Sequence, residues 1–184
     1  KLYRKKIPVI IAYEGWDAAG KGGNIKRITG ALDPRGYEVL PIASPEPHEK
    51  ARHFLWRFWT RLPRTGHVAI FDRTCYGRVM VERIEGFCSE NDWQRAYNEI
   101  NEFEKELTDW GAVVIKFWVQ IDKKTQLKRF KEFGLECECL GPIFKRFSDR
   151  QSFYMHLFAN IGMGVAGVAA VGFIIKKLIE HFGG

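Results

Sequence analysis

The chain has 184 residues, a length typical of a single domain. Its 46% hydrophobic and 28% charged residues exclude a disordered or fibrous protein and indicate a globular core. The formal net charge of +7 favours anionic partners such as nucleotides, polyphosphate, nucleic acid or acidic lipid, although a merely solvating excess of lysine is an equal alternative.

Strands and helices are predicted to alternate along the first part of the chain. The strands are predicted at residues 7–13, 37–42, 68–71 and 113–119. The helices are predicted at residues 24–32, 48–62, 92–107 and 125–131. This alternation predicts an α/β fold of three layers, in which a parallel sheet is covered by helices on both faces.

A phosphate-binding loop is predicted between the first strand and the first helix, where residues 15–21 have the pattern G-x-x-x-x-G-K. Glycines let the backbone turn sharply so that its N–H groups point at phosphate oxygens, while the lysine and the helix N-terminus add positive charge. A glycine-rich turn that binds nothing is the alternative. The candidate phosphate-binding residues of the loop are Gly15, Ala18, Ala19, Gly20, Lys21, Gly22 and Gly23.

Two aspartates are candidate magnesium ligands. Gly22 stands where such loops ordinarily carry a Ser or Thr ligand, so Asp17 inside the loop is the expected replacement; a turn-stabilising role is its alternative. Asp72 ends the third strand, at the sheet edge where α/β proteins bind ligands and where a carboxylate often holds Mg²⁺. We therefore expect Asp17 and Asp72 to share a Mg²⁺ ion.

Two arginines follow the second aspartate. Arg73 and Arg78 can each donate two hydrogen bonds to phosphate oxygens. We predict Asp17, Lys21, Asp72 and Arg73 to be catalytic and Arg78 to bind phosphate.

A basic stripe is predicted on the helix over residues 48–62. It is either a track for a polyanion or an ordinary solvated face, and both interpretations stay open. Its members are Lys50, Arg57, Arg61 and Arg64.

Several motifs occur together in one order. They are EGWDAAGKGG at residues 14–23, LDPRG at 32–36, LWRFW at 55–59 and the segment at 71–87. Together they resemble the family-2 polyphosphate kinases, and most closely the branch that phosphorylates AMP from polyphosphate. The similarity covers about residues 1–132, with Thr74 and Cys75 in place of the expected Ser and Trp.

The resemblance implies a thymidylate-kinase-like P-loop fold and transfer of a phosphoryl group from polyphosphate to AMP or ADP with Mg²⁺. It assigns Asp17 and Asp72 to metal binding and acceptor activation, and Lys21, Arg73 and Arg78 to phosphate binding. We expect polyphosphate and a nucleotide as partners, no nucleic acid, and a homo-oligomer. An ATP-dependent nucleoside monophosphate kinase and a non-catalytic polyanion-binding remnant are the alternative functions.

The chain is predicted to divide into a P-loop phosphotransferase domain at residues 1–133 and a divergent C-terminal segment at 134–184. The segment does not match the basic helical lid with which the family continues, so we expect impaired turnover. Residues 157–175 form an apolar stretch of 19 residues with Asn160 as its one polar member. A membrane helix, a buried helix and a frame-error tail all stay open for it.

The cysteines and the N-terminus bear on location. Cys75, Cys88, Cys137 and Cys139 form no C-x-x-C pair or Cys/His cluster, which favours a reduced cytoplasmic protein over a zinc or disulfide protein. The chain starts at Lys1 without a signal peptide or a methionine, and we expect it to be a segment of a longer protein.

Overall fold

A computed structural model gives the structure of the protein and describes residues 2–132 and 165–166. The predicted apolar helix at residues 157–175 therefore lies outside the described residues, except for one short strand. The predicted domain boundary near residue 133 also falls outside them and stays a prediction. Within the described ranges, no helix combines the length and the apolar content needed to cross a bilayer.

One parallel sheet organises the fold, with strand order β2-β3-β1-β4-β5. Its strands are β1 (Val9–Gly15), β2 (Tyr37–Pro41), β3 (Val68–Asp72), β4 (Val113–Val119) and β5 (Val165–Ala166). β1 lies between β3 and β4, and its first six residues are buried, as its continuous apolar run predicts. The predicted α/β fold with a parallel sheet is thus confirmed.

The helices connect the strands and cover the sheet. They are α1 (Leu2–Lys5), α2 (Lys21–Thr29), α3 (Pro47–Lys50), α4 (Trp56–Trp59), α5 (Arg83–Glu85), α6 (Glu90–Asp109) and α7 (Lys123–Glu132). A 3₁₀ turn at Pro34–Gly36 precedes β2, and a π-helical segment at Arg78–Glu82 precedes α5.

The longest helix, α6, begins earlier than the sequence predicts. Ser89 is its N-cap, and the Ser89 hydroxyl and the Asp92 carboxylate satisfy each other's backbone N–H groups in a capping box. Asp92, where the predicted helix begins, is the third helical residue. The helix buries Ala96, Ile100, Phe103 and Leu107, which lie at helical spacing and face the core.

The predicted single helix at residues 48–62 is wrong, because α3 and α4 are separate short helices. The carboxylate of Glu49 forms ion pairs of 3.4 Å with both Arg57 and Arg61. In a straight helix these arginines would lie about 12 and 18 Å from Glu49 along the axis, out of reach. The break lets the chain fold back, and it places Arg57, whose side chain is 11% exposed, in an internal ion pair instead of an open basic stripe.

Candidate active site

The candidate site lies at the carboxyl-terminal edge of the sheet. β1 and β3 are adjacent and parallel, with Tyr13 opposite Asp72. The loops that follow the two strands therefore emerge side by side, at the edge where α/β proteins bind ligands. The first carries Asp17 and Lys21, and the second begins with Arg73.

Gly15 is required by the neighbouring strand. It has φ +135°, and a Cβ there would lie 2.8 Å from the backbone nitrogen and carbonyl carbon of Val119 in β4. The next residue, Trp16, donates its N–H to the Val119 carbonyl at 3.2 Å. The sequence predicts this glycine from the sharp turn, but the close approach of β4 is a second and more stringent reason.

The middle of the loop is a tight turn. The Ala19 N–H donates to the Trp16 carbonyl at 3.2 Å, so this amide is used within the loop. Ala18, with φ 58°, and Gly20, with φ 99°, are both in the left-handed region. This contact stabilises the turn, and the predicted role of Ala19 in phosphate binding stays a prediction.

The first turn of α2 faces the same edge. α2 begins at Lys21, and the N–H groups of its first residues have no acceptor within the helix. A Cβ at Gly22 or Gly23 would meet no other atom within 4 Å, so space around these residues is open. Such an N-terminus, following a turn rich in glycine, is suited to bind an anion.

Lys21 lies at the centre of the site. Its ammonium donates to the carbonyl oxygens of Gly15 at 2.8 Å and Trp16 at 3.0 Å. Burial lowers its pKa, and the carboxylates of Asp17, Glu14 and Asp72 oppose that shift. One ammonium thus experiences carboxylates from both the P-loop and the end of β3.

The second loop adds a guanidinium to the site. Arg73 has φ 70°, and its backbone N–H donates to the Tyr13 carbonyl at 3.0 Å. Its side chain forms a 3.3 Å ion pair with Asp17, in which both side chains are more than 60% exposed. Because an exposed pair of this kind is worth at most about 1 kcal/mol, either partner is readily available to a ligand. Asp72 is half-buried at the end of β3.

Arg78 contacts residues outside the P-loop. It starts the π-helical segment, where it forms an ion pair with Glu82 at 2.7 Å and lies 4.7 Å from the centre of the Phe54 ring. It is not among the charges that most strongly affect the pKa of Lys21, whereas Arg73 is. Its predicted role in phosphate binding stays a prediction.

Glu14 is a site residue that the sequence analysis missed. Its carboxylate is 7% exposed and accepts hydrogen bonds from the Thr74 N–H at 2.8 Å and the Thr74 hydroxyl at 2.7 Å. Burial raises its pKa to about 7, against the opposing effects of Thr74, Lys21 and Arg73. The available signal was a carboxylate at the end of an apolar strand, which needs a buried partner.

Two residues of α7 also reach the loop and were missed. Gln126 donates to the Asp17 carbonyl at 2.8 Å, and Arg129 donates to the Ala18 carbonyl at 2.6 Å. They are more than 100 positions away from the loop in the sequence, so no local pattern predicts these contacts.

The described residues offer oxygen ligands for a divalent metal ion bound together with phosphate. The described residues contain no cluster of three or more His, Cys, Asp or Glu side chains that could hold a metal on its own. Mg²⁺, however, is commonly held by one or two carboxylates together with phosphate oxygens and water. Asp17 and Asp72 at one edge offer such a pair.

Comparison with known protein families shows which family the chain belongs to. The family model of polyphosphate kinase 2 matches residues 1–134. The chain belongs to the polyphosphate kinase 2 family. This confirms the family suggested by the sequence motifs, and phosphotransferases of this family generally need a divalent metal.

Curated relatives carry related names. A polyphosphate:AMP phosphotransferase of Pseudomonas syringae pv. tomato is 58% identical over 128 residues, which cover 70% of this chain and 26% of that protein. The protein of the same name from Acinetobacter johnsonii is 60% identical over 67% of this chain and 26% of its own length. An ADP-polyphosphate phosphotransferase of Pseudomonas aeruginosa is 40% identical over 66% of this chain and 40% of its own length. The chain therefore spans about a quarter of the length of the polyphosphate:AMP phosphotransferases that it matches.

Solved structures agree on the fold. Polyphosphate kinase 2 from Pseudomonas aeruginosa PA01 superimposes with a TM-score of 0.73 at 42% identity, covering 92% of this chain and 39% of that one. Polyphosphate kinase 2 from Arthrobacter aurescens TC1 gives a TM-score of 0.77 at 29% identity, covering 86% and 60%. These structures have a P-loop kinase fold, as predicted for this chain.

Proposed function

We propose that the chain is a phosphotransferase that moves a phosphoryl group from polyphosphate to AMP, or to ADP, with Mg²⁺. The observation that carries the proposal is the convergence of Asp17, Lys21, Asp72 and Arg73 at one edge of the sheet. Family membership and the names of the relatives, which specify polyphosphate with AMP or ADP, support the same reaction.

The charges of the site suit condensed phosphate. The N-terminus of α2 and the ammonium of Lys21 lie where a phosphate chain would meet backbone N–H donors. Arg73 can exchange its exposed pair with Asp17 for phosphate oxygens, since a guanidinium binds them with two parallel hydrogen bonds. Asp17 and Asp72 would hold the Mg²⁺ ion, which when bound neutralises the charge of the transferred group.

The reaction needs no covalent intermediate on the protein. A phosphate oxygen of the nucleotide attacks the terminal phosphorus of polyphosphate. The bond from that phosphorus to the bridging oxygen breaks, and the oxygen leaves on the shortened chain with its electron pair. The residues of the site contribute by orienting the two anions in line and by neutralising charge.

One observation favours a second candidate function. The family match ends at residue 134, before the position where the resemblance places the lid. A lid excludes water and completes the charge around the transferred group, so turnover without it should be slow. In the limiting case, the chain binds polyphosphate without turning it over.

The test is an assay of ADP formation from AMP with the intact chain. One series receives polyphosphate and Mg²⁺, a second receives ATP and Mg²⁺, and a third receives polyphosphate with EDTA. We expect slow turnover in the first series, none in the third, and loss of turnover in Asp17→Asn and Asp72→Asn. Asp109→Asn is the matched control, because this exposed aspartate ends α6 shortly before β4 begins, near the opposite edge of the sheet.

The outcomes separate the candidate functions. Turnover with ATP alone would indicate a nucleoside monophosphate kinase. Binding of polyphosphate without turnover, unaffected by Asp72→Asn, would indicate a polyanion-binding protein. Equal turnover in the wild type and Asp17→Asn would refute the assigned role of that carboxylate.

A further inference from the structure

Helix α7 contacts the P-loop through two of its side chains. Gln126 donates to the Asp17 carbonyl at 2.8 Å, and Arg129 donates to the carbonyl of the next residue, Ala18, at 2.6 Å. The two side chains are three residues apart in α7 and so lie on one helix face. Gln126 is 2% exposed and Arg129 is half-buried, so neither contact is a loose surface interaction.

These bonds act on the most strained part of the loop. Ala18 has φ 58°, a left-handed conformation that costs an ordinary residue free energy and persists only where surrounding contacts enforce it. In a planar trans peptide, the C=O and N–H groups point in opposite directions. When Gln126 draws the Asp17 carbonyl toward α7, the Ala18 N–H is therefore directed to the opposite side of the loop.

Arg129 extends the contact toward the start of α2. Its guanidinium lies 3.9 Å from the point that a Cβ of Gly20 would occupy, and Gly20 is the N-cap of α2. The acceptor that it binds is a neutral carbonyl. Its positive charge therefore lies beside the loop, where it adds to the charge of Lys21.

The first turn of α7 is stabilised by a local cap. Asp122 accepts hydrogen bonds from the Thr125 N–H at 2.9 Å and the Thr125 hydroxyl at 2.6 Å, which caps the first turn. One turn after Asp122, the side chain of Gln126 is buried. Phe130 is the other buried residue of the helix, so α7 buries an apolar side chain besides the two that contact the loop.

We propose that Gln126 and Arg129 are positioning residues, which hold the carbonyl groups of Asp17 and Ala18 so that the P-loop is preformed for condensed phosphate. The inference rests on the proposed function for its ligand. It assigns a role to a helix that follows β4, outside the phosphate-loop motif. Neither residue is assigned to the reacting atoms.

Substitutions of Gln126 and Arg129 can separate the effect of their hydrogen bonds from the effect of side-chain size. Arg129→Met keeps the length and removes the donors, whereas Arg129→Lys restores a cation that can reach the Ala18 carbonyl. Gln126→Glu keeps the size but places an oxygen against the Asp17 carbonyl. Lys128→Met is the matched control, because Lys128 lies on the same helix, is 77% exposed and is paired only loosely with Glu132, at 3.8 Å.

Two readouts do not depend on turnover. The first is amide hydrogen exchange of the peptide that spans residues 16–20, and the second is the Kd of tripolyphosphate. We expect Arg129→Met and Gln126→Glu each to speed loop exchange and to raise the Kd by roughly tenfold, the effect of one lost hydrogen bond to a strained segment. Arg129→Lys should recover most of the loss, and Lys128→Met should match the wild type.

Kinetics add a third readout. Because the loop binds phosphate in both the ground state and the transition state, loss of its positioning should raise KM for polyphosphate roughly tenfold with a smaller change in kcat. A general loss of folded protein would instead lower kcat and leave KM unchanged. Thermal melts of each variant identify that case.

The proposal is overturned if Arg129→Met and Gln126→Glu leave loop exchange and the tripolyphosphate Kd within twofold of the wild type. Should Arg129→Met unfold the protein, Gln126→Glu conserves size and still tests the loss of a loop contact, while Arg129→Lys tests whether a cation at this position is sufficient. If neither the wild type nor any variant turns over, the proposed function is refuted. Loop exchange and the Kd of tripolyphosphate would still decide the role of α7.

Discussion

Gly15→Ala is the substitution for which the structure gives the sharpest expectation. Two costs add at this position. A φ of +135° is essentially restricted to glycine, and forcing another residue into it costs about 1–3 kcal/mol. The new Cβ would lie 2.8 Å from two backbone atoms of Val119, and the backbone shift needed to relieve such overpacking costs about 1–3 kcal/mol more.

The expected loss is therefore about 4 kcal/mol at mid-range, a large share of the roughly 5–15 kcal/mol by which domains are stable. At about 3 °C per kcal/mol for a chain of this size, Tm should fall by roughly 12 °C. The strain falls between β4 and β1, the central strand of the sheet, so it should lower the free energy of global unfolding.

Gly23→Ala is the matched control. Gly23 lies inside α2, and a Cβ there would meet no other atom within 4 Å. Alanine in a helix is favoured over glycine by about 0.5–1 kcal/mol, so this variant should melt slightly higher than the wild type. Circular dichroism melts and urea unfolding of the three proteins measure both effects. A Gly15→Ala protein that melts within 2 °C of the wild type, or no lower than Gly23→Ala, would refute the reasoning.

Two further predictions concern buried titratable groups. Burial raises the pKa of Glu14 to about 7 from 4.5. The stability that this carboxyl group contributes is therefore complete below pH 4.5 and is lost as the pH rises through 7. The loss amounts to about 3 kcal/mol. Urea unfolding between pH 5 and 8 should show this decline in the wild type and not in Glu14→Gln; parallel curves would contradict it. Burial also raises the pKa of the Cys75 thiol well above its usual range. Iodoacetamide at pH 8 should therefore label half-buried Cys88 first and Cys75 only after denaturation. Peptide mass spectrometry measures the labelling of each cysteine. Equal labelling rates in the folded protein would contradict the burial of Cys75.

The sequence predicts the parts of the site that follow from strand geometry. An apolar run, a glycine-rich turn and a helix are adjacent in the chain, so β1, the P-loop and α2 can be recognised from local pattern alone. Asp72 could be placed beside Asp17 because parallel strands present their carboxyl ends at one edge. That argument needs only the fold class, and the register of Tyr13 with Asp72 agrees with it.

The contacts that the sequence does not predict depend on the conformation of the chain beyond local spacing. Arg78 follows the second aspartate closely in sequence, but its direction is set by the π-helical segment and by Glu82 and Phe54. The break between α3 and α4 accompanies the convergence of two arginines on Glu49, which helical periodicity cannot reveal. In each case a charged side chain forms an ion pair that the spacing of residues in the sequence does not predict.

The loop and its charges are held by different parts of the fold. Asp17 follows β1 and Asp72 ends β3, whereas the backbone between Gly15 and Ala18 is held by the Lys21 ammonium and from the side of β4 and α7. Val119 accepts the N–H of Trp16, the Trp16 ring packs edge-on against Trp118 at 5.7 Å, and α7 binds the next two carbonyls.

The family match covers the loop and the elements that contact it. A motif of seven residues specifies the phosphate loop chemically, but its shape also requires β4 and α7, which follow about 100 residues later. The match continues through both elements and ends at residue 134, directly after α7. If α7 positions the loop as we propose, a substitution of Gln126 or Arg129 should affect phosphate binding as a substitution in the loop does.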